Sequence, residues 1–161
     1  MIELNEKNLK ELLDLRKKDM IIRDKWTEFE NGELVVIVPE TKEEFVRFIQ
    51  DWLPVCPLGT EERIKKIKKE MKSIAKKNSY VFEEKHLLIM TAREIARIKK
   101  EYSNEQVSLA NRADKKYGAS GHGFTYLAEI SDLMEMFLES TQNDYPKAIS
   151  IYEGKRIRRT V

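Results

Sequence analysis

The chain has 161 residues, with 30 lysines and arginines against 28 aspartates and glutamates, and a hydrophobic share of 41%. This length fits one domain, and the apolar share supplies a core, which excludes a wholly disordered chain. The single cysteine, Cys56, excludes an internal disulfide, and no Cys/His cluster fits structural zinc. A charged N-terminal stretch and short apolar runs lead us to expect a cytoplasmic protein without signal peptide, membrane span, metal or other cofactor.

Charge is balanced over the whole chain, at +2, but not along it. Residues 1–59 carry a net charge of −4, residues 60–118 carry +7, and residues 119–161 carry −1. A basic middle third is typical of a surface that meets phosphates or an acidic protein. The same charges also fit lysine-rich helices whose outer faces are simply solvated.

The first elements are a helix and a hairpin. Asn5 can cap an amphipathic helix over residues 5–18, with Leu9, Leu12 and Leu13 on one face. Asn31-Gly32 between two β-prone runs predicts a type I′ turn, because both central residues of that turn need a positive φ. In this hairpin Phe29 faces Leu34 and Trp26 faces Ile37.

A second helix follows the hairpin. Thr41 and Glu44 form a capping box, and the helix presents an apolar stripe of Phe45, Phe48, Ile49 and Trp52 before Pro54 stops it. We expect the apolar face of the hairpin to pack on this stripe. Residues 54–59 are a stiff connector, the place where a subdivision of the domain would fall.

The next helix combines an apolar seam with a lysine-rich face. Thr60 is expected to cap it, and Ile64, Ile67, Met71 and Ile74 recur at steps of three and four. The lysines on the opposite side, which could follow a phosphate backbone, are Lys65, Lys68, Lys69, Lys72 and Lys76. Without interleaved aromatics this face is not suited to base stacking.

Residues 91–117 resemble a helix-turn-helix. After short extended pieces at 80–82 and 86–90, Thr91 and Glu94 form a capping box that opens a first helix, and Ser103 could cap a second. The residues that this second helix would present to DNA are Asn111, Arg112, Lys115 and Lys116. The turn glycine of the motif is missing, and the same residues also fit one unbroken helix.

The last third has three features. Gly118–Gly123 is glycine-rich, and His122 within it could serve an anion site or a small enzyme, although the phosphate-loop fingerprints are absent. Residues 125–138 have the clearest helical periodicity and predict the most buried helix. Residues 148–161 predict a strand, a turn at Glu153-Gly154, and a short basic strand.

The basic strand carries four cations in five residues, Lys155, Arg156, Arg158 and Arg159. Arginine makes planar, bidentate contacts with phosphates and carboxylates, which favours a binding tail. An edge strand that charge protects from aggregation explains the pattern equally well.

Together these patterns predict a mostly helical α+β single domain over 1–161, with an N-terminal and a C-terminal β-hairpin. The favoured function is a small non-enzymatic regulator that binds nucleic acid through the helix-turn-helix-like stretch, the lysine-rich helix and the basic tail. The alternatives are a phage or mobile-element protein that inhibits a host nucleic-acid-acting protein, and a small enzyme that uses His122. Nucleic acid or an acidic protein is the expected partner, no membrane is expected, and a homodimer remains open.

Overall fold

The computed structural model describes residues 2–77, 79, 83–118 and 125–142. These residues form an α+β fold that is mostly helical, with one two-stranded antiparallel sheet. The elements in chain order are α1 (Glu6–Lys25), β1 (Thr27–Glu30), β2 (Glu33–Val36), α2 (Lys42–Trp52), a 3₁₀ turn (Leu53–Val55), α3 (Thr60–Lys77), α4 (Glu84–Tyr117) and α5 (Thr125–Ser140). The predicted C-terminal hairpin and residues 80–82 lie outside the described residues.

The two capping predictions at the N-terminal side are confirmed. The side chain of Asn5 accepts the backbone N–H of Asn8 at 2.8 Å, although α1 continues to Lys25, well beyond the predicted end at 18. At the start of α2, Thr41 Oγ1 accepts the N–H of Glu44, whose carboxylate accepts the N–H of Glu40. These bonds satisfy backbone donors that have no partner inside a helix.

The hairpin has the predicted turn and register, but only part of the predicted packing. Asn31 and Gly32 have φ of 54° and 81°, and Phe29 pairs with Leu34. Trp26, just before β1, meets the ring of Phe48 in α2 edge to face, with centroids 5.4 Å apart. Strand β2, however, packs against α5, and Phe29 is 80% exposed.

The core lies where α2, α4 and α5 meet. Phe48 of α2 stacks on Phe137 of α5 at a centroid distance of 4.3 Å, and both rings are fully buried. Every residue of α4 from Ile89 to Ala96 is also buried. The helix with the largest buried fraction is α5, as predicted, with 7 of its 16 residues buried against 14 of 34 in α4. The same core cluster includes residues from both sides of the 54–59 connector.

Of the two interpretations of residues 91–117, the unbroken helix is confirmed and the helix-turn-helix is wrong, because α4 is a single helix of 34 residues. Between residues 84 and 117 no residue has the positive φ that a helix-turn-helix turn usually requires. Residues 86–90, predicted as extended, are the first turns of this helix. Glu83 and His86 form its capping box, and Thr91 lies inside it, where the Thr91 hydroxyl donates to the carbonyl of Leu87 at 2.8 Å.

Thr60 is the first residue of α3 rather than its cap. Its hydroxyl donates to the carbonyl of Pro57 at 2.6 Å, and the N–H of Arg63 bonds to the carbonyl of Gly59. The seam of α3 is as predicted: Ile64, Ile67, Met71 and Ile74 are all buried.

Replacing Phe137 by alanine should lower the free energy of unfolding by about 3–5 kcal/mol, because it leaves a cavity against Phe48. The matched control is Phe29→Ala, which removes the same atoms from an 80% exposed site and should cost less than about 0.5 kcal/mol. Urea titration followed by circular dichroism measures both. Similar losses for the two variants would contradict this description of the core.

Candidate nucleic-acid interface

Helix α3 is fixed to α4 along its apolar seam. Ile67, Met71 and Ile74 form a small cluster with Met90 of α4, and Leu87 packs on its edge. Glu61 and Glu62 occupy the first turn of α3, where negative charge interacts favourably with the helix dipole. The seam therefore faces α4, and the lysines on the opposite side of α3 face away from it.

An ion pair also ties the start of α3 to α4. Glu94 is only 1% exposed, and its carboxylate lies 3.0 Å from Nε of Arg63 in α3 and 3.3 Å from Nη1 of Arg97. A buried carboxylate must keep such partners, since an unpaired charge in the interior is costly. The Arg63–Glu94 contact fixes the N-terminal end of α3 on α4, and the apolar seam fixes the rest of α3.

The lysine face of α3 consists of Lys65, Lys68, Lys69, Lys72 and Lys76. Lys65, Lys69, Lys72 and Lys76 follow one another at steps of four, three and four residues, so they share a sector of about 60° and a length of about 16 Å. All four are exposed, while Lys68 is half-buried at the side of this row. None of the five forms an ion pair with another residue that the structure describes.

Acidic residues do not interrupt the row. Glu70, in the middle of α3, falls about 130° around the helix from it, and Glu62 lies before its first lysine. Four positive charges are therefore presented together, because the seam holds the opposite side of the helix against α4. The arrangement suits a linear polyanion better than a single small anion.

The C-terminal end of α4 contributes a separate set of polar residues. Asn111, Lys115 and Lys116 are exposed, and Nζ of Lys116 lies 5.4 Å from the ring centroid of Tyr117. Arg112 is half-buried, and its guanidinium donates to the backbone carbonyls of Ile2 and Ser108. Arg112 therefore holds the N-terminal segment on α4, and Asn111 does not lie on the separate recognition helix that the sequence suggested.

The structure does not bring the two basic sets together. Arg63, at the start of α3, lies 3.9 Å from Glu101 of α4, and Lys115 is fourteen residues further along α4, which corresponds to about 21 Å. The seam shows that α3 runs from this level toward the N-terminal end of α4, away from Lys115. The lysine face and the end of α4 are thus two separate patches.

Two other predicted sites cannot be placed. The tail residues Lys155, Arg156, Arg158 and Arg159, and the glycine-rich segment around His122, lie outside the described residues. His86, the other histidine, is half-buried, and its Nδ1 accepts the backbone N–H of Glu83 at 3.4 Å. His86 is therefore part of the capping box of α4.

An interior ion pair that the sequence analysis missed joins α1 and α4. Nζ of Lys99 lies 3.0 Å from Oδ1 of Asp19 and donates to the carbonyl of Val55 at 2.9 Å. Both side chains have 0% exposure. The available signal was Asp19 itself, which stands seven residues after Leu12 on the same side of α1, at a position where an apolar residue is expected.

Three further groups lie near this pair. Burial raises the pKa of the Cys56 thiol to about 12, and its Sγ donates to the carbonyl of Trp52 at 3.3 Å. Burial also raises the pKa of Tyr102 and Tyr126, and the charge of Asp19 adds to both shifts. The Asp19–Lys99 pair has no exposed side-chain atom, and Cys56 is held as a neutral thiol, so these groups support the fold rather than chemistry on a solute.

Concave surfaces on the described part of the chain include one beside the capping box of α4. A cleft of about 530 Å³ lies between the start of α2 and the start of α4, lined by residues such as Phe45, Glu83 and His86. No cluster of three metal-binding side chains occurs within the described ranges. In this part of the chain no helix has the length and apolar character to cross a membrane.

Comparison of the chain with protein-family models, with curated proteins and with solved structures finds no match.

Cys56 should react slowly with a thiol reagent in the folded protein, since its raised pKa leaves little thiolate at pH 8. A matched control is Leu58→Cys in a Cys56→Ala background, because Leu58 is fully exposed. The control should react fast, and Cys56 should react at the control's rate only in urea. Equal rates in the folded proteins would contradict the burial of Cys56.

The raised pKa of Cys56 also predicts that the free energy of unfolding depends on pH. The pKa of Cys56 is higher in the folded chain than the value of 9.0 for a free thiol, so ionisation above that pH favours the unfolded chain. Between pH 8 and about pH 11 the native protein should lose more free energy of unfolding than Cys56→Ala, which has no thiol to ionise. Parallel pH profiles in urea titrations would show that the thiol does not contribute.

Proposed function

We propose that this protein is a non-enzymatic, nucleic-acid-binding regulator whose lysine face contacts the phosphate backbone. The observation that carries the proposal is the row of Lys65, Lys69, Lys72 and Lys76, exposed and without ion pairs to other described residues. Lysines that neutralise phosphates release condensed counterions, and this release is the main source of affinity in backbone binding.

The chemistry of the face supports contact with phosphates rather than with bases. Lysine is a point charge on a flexible stem, whereas reading guanine edges favours the planar fork of arginine. The one arginine of α3, Arg63, is paired with the buried Glu94. Aromatic residues, on which unpaired bases stack, are absent from α3. Binding through this face is therefore independent of sequence.

Further contacts in this proposal come from two other basic segments. Lys115 and Lys116 at the end of α4 can meet a more distant part of the same polyanion. They lie about 21 Å along α4 from the level at which α3 begins, and α3 runs in the opposite direction. The tail residues Lys155, Arg156, Arg158 and Arg159 add arginine forks that suit phosphate oxygens. The helix-turn-helix is no part of the proposal, since α4 is continuous and Arg112 is engaged with backbone carbonyls.

The test compares two variants that remove the same charge from different helices. The first replaces Lys65, Lys69, Lys72 and Lys76 by glutamine. The control replaces four exposed lysines of α1, Lys7, Lys10, Lys17 and Lys18, by glutamine. Both variants change the net charge from +2 to −2, and glutamine keeps the helix propensity.

The measurement is fluorescence anisotropy with two 30-bp duplexes of unrelated sequence, each titrated at several salt concentrations. The native protein should bind both duplexes alike, and the α3 variant should reduce the slope of log K against log salt by about 3 to 4 if all four lysines meet phosphates. The α1 control should change the slope little. Circular dichroism confirms that both variants stay helical.

Two outcomes would contradict the proposal. Equal losses in the two variants would mean that net charge, rather than the lysine face, attracts the duplex. A flat titration of the native protein up to about 100 µM at low salt would exclude backbone binding of ordinary strength. The second outcome would favour an acidic protein as the partner of the same face.

A further inference from the structure

The side of helix α4 that faces α1 carries buried polar residues near the middle of the helix. Lys99, Ser103 and Gln106 follow one another at steps of four and three residues, so they share a sector of about 60° and a length of about 10 Å. Each has an exposed fraction of 2% or less. The contact between Lys99 and Asp19 shows that this sector faces α1. Part of the buried surface between the two helices is therefore polar.

Several buried oxygens on this polar surface have no hydrogen-bond partner among the residues that the structure describes. They are Oδ2 of Asp19, Oγ of Ser103 and Oε1 of Gln106. In native proteins nearly all buried polar atoms are bonded either to the protein or to ordered water, because an unpaired buried group is costly. Three such atoms on one contact between two helices therefore call for a common explanation.

The hydroxyl of Ser103 does not bond to the backbone of its own helix. A buried hydroxyl in a helix can donate to the carbonyl four residues earlier, as Thr91 does to Leu87 at 2.8 Å. Ser103 makes no such bond to the carbonyl of Lys99. Gln106 lies one turn further along the same side of α4, and the Cβ atoms of residues at this spacing are about 5–6 Å apart. Two polar side chains at this separation can share one bridging water molecule.

A tyrosine of α5 adds a fourth oxygen to the same region. The hydroxyl of Tyr126 is buried and has no partner within the described ranges. Burial raises the pKa of Tyr126, the charge of Asp19 raises it further, and the charge of Arg16 lowers it. Charges act on one another most strongly at short distance, so the phenol oxygen lies near the turn of α1 that holds Arg16 and Asp19.

Water suits these oxygens better than an ion does. The hydroxyls of Ser103 and Tyr126 can donate or accept, whereas Oδ2 of Asp19 and Oε1 of Gln106 only accept. A water molecule donates and accepts, so it can bond to both kinds of atom. A cation would be repelled by the ammonium group of Lys99, which lies 3.0 Å from the carboxylate of Asp19, and an anion would be repelled by that carboxylate.

We infer that α1 and α4 enclose an internal hydration site, in which about one or two ordered water molecules bond to Asp19, Ser103 and Gln106. Tyr126 borders the site from α5. A buried water molecule typically forms about three hydrogen bonds to groups that otherwise have no partner, and it is costly to remove. The water molecules are therefore part of the contact between the helices, beside the ion pair of Asp19 and Lys99.

The experiment removes the polar atoms that α4 contributes and counts the bound water molecules. Ser103→Ala/Gln106→Leu replaces two partners of the water with apolar side chains. The matched control, Thr91→Val/Ser131→Ala, removes two buried hydroxyls that already bond to protein oxygens. Oxygen-17 magnetic relaxation dispersion measures the number of water molecules that stay bound for longer than the protein takes to tumble.

The variant Ser103→Ala/Gln106→Leu should hold about one or two fewer long-lived water molecules than the native protein, and the control should hold the same number as the native protein. Circular dichroism and urea titration check that both variants fold. A crystal structure of the native protein tests the site without any variant. It should show water within hydrogen-bond distance of Oγ of Ser103 and of Oδ2 of Asp19.

Three results would overturn the inference. A native crystal structure in which Ser103 donates to the carbonyl of Lys99, with no water beside Gln106, would show that the side chains satisfy one another. An unchanged count in Ser103→Ala/Gln106→Leu, or an equal loss in the control, would place the long-lived water elsewhere in the protein. Density at the site that thallium replaces in soaked crystals would assign the site to a monovalent cation.

Discussion

The arrangement of helices depends on three charged side chains that α4 buries. Lys99 pairs with Asp19 of α1, Glu94 pairs with Arg63 of α3, and Arg93 donates to the carbonyl of Leu138 and the hydroxyl of Thr141 at the end of α5. A buried charge must find a partner or destabilise the fold by several kcal/mol, so each of these residues restricts where its neighbouring helix can lie. Around them, apolar contacts such as the Phe48–Phe137 stack supply the driving force for association.

This use of charge explains how the lysine face is formed. Helix α3 has a narrow apolar seam and needs a partner to bury it, and the Arg63–Glu94 pair places its first turn. Once both contacts are made, the lysines on the other side have no neighbouring element to pair with among the described residues. The surface that we propose to bind nucleic acid is thus a consequence of the way α3 docks on α4.

The interior polar groups and the surface lysines have different energetic roles. Lys99 is fully buried, and its charge acts through short contacts in a medium of low dielectric. The lysines of α3 are exposed to water and salt, which screen each charge. They therefore act together, through the number of lysines and the spacing between them. A single substitution at Lys99 therefore affects the fold, whereas the binding surface changes only when several lysines are replaced together.

Local patterns determined much of this structure without tertiary information. The Asn5 cap, the Asn31-Gly32 turn, the capping box of Thr41 and the seam from Ile64 to Ile74 follow from backbone donors, positive φ and helical spacing within a few residues. Helical spacing also predicted which lysines form the lysine face. Tertiary packing decided what these patterns leave open. Residues 86–117 belong to one long helix, and β2 packs on α5. Arg112 holds the N-terminal segment, and Lys99 is buried while its neighbour Lys100 is not. The physical reason is that the burial of a charge or an apolar side depends on partners distant in the chain, such as Asp19 for Lys99, and no local spacing encodes them.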